Sequence, residues 1–134
     1  MIYLDNASTT KVDEEVLSAM LPYFTKEYAN PSSLHSFAKN ANQAIEHARI
    51  TLANKLKVPP EEIIFTSSAT ESNNLVLRGI ATKYPSGHMI TSQIEHLSVL
   101  ETMKALEKQG FKITYLKPNK EGIIDPKEVE KSIT

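Results

Sequence analysis

Between residues 63 and 116 the chain alternates short apolar runs with stretches of helical periodicity, and this restricts it to one broad class of fold. The spacing predicts strands near 63–66, 88–91 and 111–116, with helices near 69–81 and 97–109 between them. Strands separated by helices build βαβ units with right-handed crossovers. The expected fold class is therefore α/β, a three-layer α/β/α arrangement around a mainly parallel sheet. Gly110 stands where a helix C-cap is expected, and Asp125-Pro126 pairs a cap with proline at the first position of a last helix. Upstream, Asp13 is placed to cap a helix carrying Val16, Leu17, Met20 and Leu21, and Asn30-Pro31-Ser32-Ser33 breaks the chain. A longer helix follows, with Phe37, Ala41, Ala44, Ile45, Ala48, Leu52 and Leu56 as its apolar stripe, ended by Val58-Pro59-Pro60. At 134 residues the chain has the size of one domain, and no linker marks a boundary.

The junction Phe65-Thr66-Ser67-Ser68-Ala69-Thr70-Glu71-Ser72-Asn73-Asn74 reads as a strand passing through a small-residue turn into a helix N-terminus. Ser68 and Glu71 fit a capping box. The first helical turn then offers unpaired N–H groups, the hydroxyls of Thr70 and Ser72 and the positive end of the helix dipole, a combination suited to phosphate. A serine-capped helix after a strand is common and usually binds nothing, so its meaning depends on what lies beside it. In a parallel sheet, ligands sit at the carboxyl ends of strands, where Ser92-Gln93-Ile94-Glu95-His96 forms a second polar cluster.

Fifteen Lys and Arg against sixteen Asp and Glu leave a net charge of −1 with no basic run, which argues against nucleic acid or an anionic membrane as partner. No apolar run approaches a membrane span, and the first residues have no leader pattern, so a cytoplasmic setting is expected. With no cysteine the chain has no disulfide, thiolate metal site or cysteine nucleophile. The four histidines lack metal-ligand spacing, and no metal is expected. A dinucleotide fingerprint and a hydrolase nucleophile elbow are both missing.

Among single residues, His96 lies close to a helix start at the same sheet edge as the phosphate-suited turn. A helix N-terminus disfavours imidazolium, leaving a neutral ring able to stack or exchange protons; a lone histidine is more often a cap or a packed ring. His35 follows the turn at Asn30-Pro31-Ser32-Ser33, where it can face a ligand or simply solvent. Asp5 and Asn6 suit a turn or a site, with the turn commoner.

Four ordered motifs add what spacing alone does not: Tyr3-Leu4-Asp5-Asn6-Ala7-Ser8-Thr9-Thr10, Asn30-Pro31-Ser32-Ser33-Leu34-His35, the 66–74 segment, and Glu95-His96-Leu97-Ser98-Val99-Leu100. Together they resemble the NifS/IscS group of cysteine desulfurases, class V aminotransferases that use pyridoxal 5′-phosphate. The resemblance implies a fold-type-I transferase, with residues 1–12 as an N-terminal arm and 13–134 as part of the large cofactor-binding domain. It assigns Ala69 and Thr70 to the cofactor phosphate, His96 to stacking on the pyridine ring with a second role in proton handling, and Asn6 and His35 to the vicinity of the substrate. Ser8, Ser68 and Leu97 depart from frequent family choices without removing a needed group.

Members of that group are roughly three times longer, more than a single-domain length. The chain contains no Ser-x-His-Lys motif to hold the cofactor covalently, no acidic partner for the pyridine nitrogen, no arginine for the substrate carboxylate and no cysteine to carry a persulfide. The resemblance thus implies the N-terminal part of an enzyme, from truncation or a split gene and inactive alone. Completed by a C-terminal part, as a homodimer, it converts L-cysteine to L-alanine and passes sulfur to an acceptor such as an iron–sulfur scaffold. Two alternatives stay open: a non-catalytic binding or dimerisation module, and a related enzyme such as a selenocysteine lyase or aminotransferase.

Overall fold

Local capping chemistry sets the helix starts throughout the computed structural model, which describes residues 2–134. Met1, the first residue of the expected arm, lies outside the described residues. The chain divides into two compact units, 2–64 and 65–134.

In the N-terminal unit, helix α1 (Glu14–Thr25) starts at Asp13, whose carboxylate accepts the Glu15 N–H at 2.8 Å. Helix α2 (Ser36–Leu56) follows and ends on Lys57, held at φ 58° in the left-handed region. A single 3-10 turn (Pro60–Glu62) packs against α2, and the Arg49 guanidinium donates to the Ile63 carbonyl. The only buried residues of α2 are Ala38, Ala41 and Ala53, and α1 buries none. The expected stripe of α2 is thus corrected. Of its members Ala41 is buried, whereas Phe37, Ile45, Leu52 and Leu56 are exposed, because the element packed on α2 is a single 3-10 turn of three residues, too short to cover a helix of 21.

The C-terminal unit holds the sheet. Strand β1 (His88–Ser92) and strand β2 (Lys112–Leu116) pair in parallel, with His88 opposite Lys112 and Ser92 opposite Leu116. Helix α4 (Leu97–Lys108) connects them, giving the expected βαβ unit, and helix α3 (Ala69–Lys83) packs along α4. Ala81 of α3, Leu106 of α4 and Phe111 form the core, with Leu77, Met89 and Ile113 packed on it. Gly110, at φ 100°, reverses the chain between α4 and β2, a conformation that suits glycine. Helix α5 (Pro126–Ser132) starts at Asp125, whose carboxylate accepts the Lys127 N–H at 2.9 Å, and contacts β2. This is an α/β arrangement on a small parallel sheet.

One predicted strand does not form. Residues 63–66 belong to no ladder, and the sheet contains β1 and β2 alone among the described residues. Ile63 has extended backbone (φ −90°, ψ 115°), yet Ile64 and Phe65 are exposed. A strand is a paired object, and apolar composition supplies the conformation without the pairing.

Candidate functional site

The two polar clusters expected at the sheet edge both become helix N-termini. Ser68 caps α3, its hydroxyl accepting the Glu71 N–H at 3.2 Å. Only half of the capping box forms. The Glu71 carboxylate turns to Ser67 instead, accepting its N–H at 2.6 Å and its hydroxyl at 2.7 Å, and these bonds hold the Glu71 carboxyl below its ordinary range. Thr66 and Ser72 join hydroxyl to hydroxyl at 2.7 Å, bracing the turn ahead of the helix. Ala69 and Thr70 occupy the first two helical positions. Among the described residues neither their N–H groups nor the Thr70 hydroxyl has a hydrogen-bond partner, so all three donors remain available to an anion.

After β1, the Gln93 N–H donates to the Leu116 carbonyl at 2.9 Å, and the chain turns into α4. His96 is the N-cap of that helix: Nδ1 accepts the Ser98 N–H at 3.1 Å and lies 2.9 Å from the Ser98 hydroxyl. The bland role of a histidine cap and a role in a site thus coincide in one residue, since the cap uses Nδ1 and leaves Nε2 unengaged among the described residues.

Consecutive asparagines of α3 hold α4 alongside. The Asn73 amide donates to the Ser98 hydroxyl at 2.8 Å, and the Asn74 carbonyl accepts the Thr102 hydroxyl at 3.0 Å and Arg78 Nε at 2.9 Å. Ser98 and Thr102 are buried. Paired buried polar groups of this kind fix one geometry, because an unpaired group there costs about 1–3 kcal/mol. Between the two helix starts lies an open cleft of about 380 Å³ whose lining includes Thr70, Asn74, His96 and Ser98.

Three of the five expected site residues lie in the C-terminal unit: Thr70 and His96 line that cleft, and Ala69 precedes Thr70 at the start of α3 without being part of the lining. Asn6 and His35 belong to the N-terminal unit. Asn6 sits in an exposed turn closed by the Ser8 N–H on the Asp5 carbonyl at 3.1 Å. His35 caps α2, with Nδ1 accepting the Ala38 N–H at 3.2 Å, so it is a cap rather than a loop residue. The residues that sequence reasoning passed over are Asn73, Asn74, Ser98 and Thr102. Their signal was an asparagine pair inside a helix, where asparagine has poor intrinsic preference and needs a reason to be.

The family model for aminotransferase class-V matches residues 2–134. The chain belongs to the class V aminotransferase family. Within this family it resembles cysteine desulfurases of the NifS/IscS kind. The mitosomal cysteine desulfurase of Trachipleistophora hominis is 49% identical over 138 residues, covering 99% of this chain and 31% of the relative. A solved NifS-like protein superposes with a TM-score of 0.92 at 42% identity, covering 98% of this chain and 37% of that one. The structure of SspA in complex with cysteine gives a TM-score of 0.90 at 45% identity, covering 98% and 39%. This class V aminotransferase chain thus spans about a third of the length of the curated relatives it matches, and its small parallel sheet with packed helices is part of the fold-type-I architecture.

Proposed function

We propose that this chain supplies the phosphate-binding and ring-stacking part of a pyridoxal 5′-phosphate-dependent cysteine desulfurase. In this proposal residues 13–134 belong to the large cofactor-binding domain and residues 1–12 form an arm. The observation that carries the reading is the pairing of two helix N-termini on one cleft, one lining it with Thr70, whose N–H and hydroxyl are free among the described residues, the other with His96.

The donor set fits the group. A phosphate dianion needs several N–H or O–H donors and positive potential, and the first turn of α3 offers both without a competing side chain. The Ala69 and Thr70 N–H groups and the Thr70 hydroxyl hold the phosphate. Glu71, the one acid in that turn, is turned back onto Ser67 and does not line the cleft. The imidazole of His96 offers a flat face for the pyridine ring and an Nε2 proton for transfer to or from the substrate. When bound, the cofactor acts as an electron sink for the carbanion chemistry of an amino acid. The substrate is L-cysteine, the products are L-alanine and a persulfide on a cysteine outside this chain, and the sulfur passes to an acceptor such as an iron–sulfur scaffold. This chain has no cysteine. The lysine and persulfide-bearing cysteine needed for turnover come from the remaining two thirds of such an enzyme, which acts as a homodimer.

A chimaera tests this directly: residues 2–134 replace the matching third of the NifS-like relative, and alanine formation from L-cysteine is measured. Turnover that falls on His96→Ala with cofactor retained, and cofactor affinity that falls on Thr70→Ala, is the expected pair of results. A folded, cofactor-loaded chimaera that forms no alanine from L-cysteine would contradict the substrate assignment. One that cannot retain the cofactor would contradict the site.

A further inference from the structure

The hydrogen bonds around His96 carry more than its place in the cleft. Nδ1 faces the Ser98 backbone N–H at 3.1 Å. A backbone N–H can only donate, so Nδ1 must accept, and the proton of the neutral ring resides on Nε2. The second contact at Nδ1, the Ser98 hydroxyl at 2.9 Å, has its own direction set from α3: the Asn73 amide donates to Ser98 Oγ at 2.8 Å and leaves the hydroxyl proton to point at His96. We propose that Ser98 and Asn73 are positioning residues that hold His96 as its Nε2–H tautomer, with the free N–H on the side of the ring away from α4.

His35 shows what a histidine cap looks like without this support. Its Nδ1 also accepts a backbone N–H, from Ala38 at 3.2 Å, but no hydroxyl joins that contact. A cap alone needs one donor. The second donor at His96, itself aligned by a residue of the neighbouring helix and buried at Ser98, serves the ring rather than the helix. The proposal rests on the reading of His96 as the group that moves a proton, because a fixed tautomer decides which nitrogen gives the proton up.

Ring-nitrogen NMR on the 15N-histidine-labelled chain, without cofactor and about two units above the ordinary imidazole value of ~6.5, reads the tautomer of a neutral ring directly. Only four histidines are present, and His96→Gln assigns the signal. The wild type is expected to show Nε2 protonated and Nδ1 as acceptor. Ser98→Ala should raise the Nδ1–H share about fivefold, the equivalent of one hydrogen bond. Ser98→Thr, which keeps the hydroxyl, should restore the wild-type pattern. Asn73→Asp should move the ratio in the same direction as Ser98→Ala, because a carboxylate takes the hydroxyl proton for itself. Should Ser98→Ala fail to fold, by loss of far-ultraviolet helix signal, Asn73→Asp and Ser98→Thr decide alone. A wild-type ring protonated at Nδ1, or a ratio indifferent to these changes in folded variants, overturns the proposal. Failure of the chain to bind a cofactor phosphate leaves these signals as they are and counts against the proposed function only.

Discussion

Residues 2–64 and 65–134 are both carried by helices, but they bury different things. In the N-terminal unit the fully covered side chains are Ala38, Ala41 and Ala53, while Val16, Leu17, Met20 and Leu21 of α1 stay roughly half exposed. In the C-terminal unit Leu106 is 1% exposed and Phe111 7%, with Met103 and three buried hydroxyl-bearing residues beside them. Amphipathic periodicity makes a helix in both cases. A core appears only where a parallel strand pair gives two helices something wide to pack on. The ordered polar contacts of the cleft are found in that same unit, since hydrogen bonds between Asn73 and Ser98 and between Asn74 and Thr102 require helices already held at fixed spacing.

The largest effect expected from this contrast is on stability. Leu106→Ala should cost about 2–5 kcal/mol, by lost burial plus a cavity in a site walled by α3 and the strands. Leu17→Ala in α1 should stay within about 0.5 kcal/mol, having little burial to lose. Urea unfolding followed by circular dichroism checks both. Equal losses would mean that the N-terminal unit has a core of its own and would break the comparison.

Next in size is the grip between α3 and α4. Asn74→Ala removes one of the two acceptors of the Thr102 hydroxyl, which also donates to the Ser98 carbonyl at 2.9 Å, and the expected cost is about 0.5–1.5 kcal/mol. Asn40, which donates to Glu27 at 2.9 Å on an exposed face of the N-terminal unit, serves as the control. Its replacement by alanine should cost well under that, and a similar loss at both would show that the buried contact has no special weight.

Capping gives an effect no larger and more even. Ser68→Ala and Asp13→Ala should each cost about 1 kcal/mol, because each removes one side-chain acceptor from a helix start. Amide exchange in the first turns of α3 and α1 is the measurement. The smallest effect is acid-dependent. Ser67 holds the folded-state Glu71 carboxyl below its unfolded value, so the support it gives the start of α3 is complete above the ordinary ~4.3 of a glutamate and fades as pH falls through the lower folded value. Amide exchange at Ser67 should therefore quicken in that acid range, and Glu71→Gln should remove the dependence.

Much of this was legible in the residues. Asp13, Ser68 and Asp125 announced three helix starts, Gly110 the turn between α4 and β2, and the 88–116 pattern the βαβ unit, because caps, turns and periodicity are local signals. Thr70 and His96 could each be placed at a helix start for the same reason. Three features were not legible. The 63–66 run has strand composition, but a ladder depends on a neighbour that the sequence does not name. The stripe of α2 mixed Ala41, Ala44 and Ala48 with larger apolar residues, whereas packing buried Ala41 alone of these, together with Ala38 and Ala53 outside the stripe. Neither the Ser98 and Asn73 contacts to His96 nor the Ser67 contact to Glu71 follows from spacing, since each depends on the side chain of one residue choosing among several partners within reach.

The central claim is that the start of α3, through Thr70, holds a phosphate group in the cleft that His96 also lines. Calorimetric titration of the chain with pyridoxamine 5′-phosphate, which has no aldehyde to react with surface lysines, against pyridoxamine tests it most directly. The account predicts saturable binding of the phosphate ester alone, weakened by about 1.5–3 kcal/mol in Thr70→Ala through loss of one charge-assisted hydrogen bond. Equal binding of the two amines, or a Thr70→Ala variant that binds the ester like wild type, would contradict it.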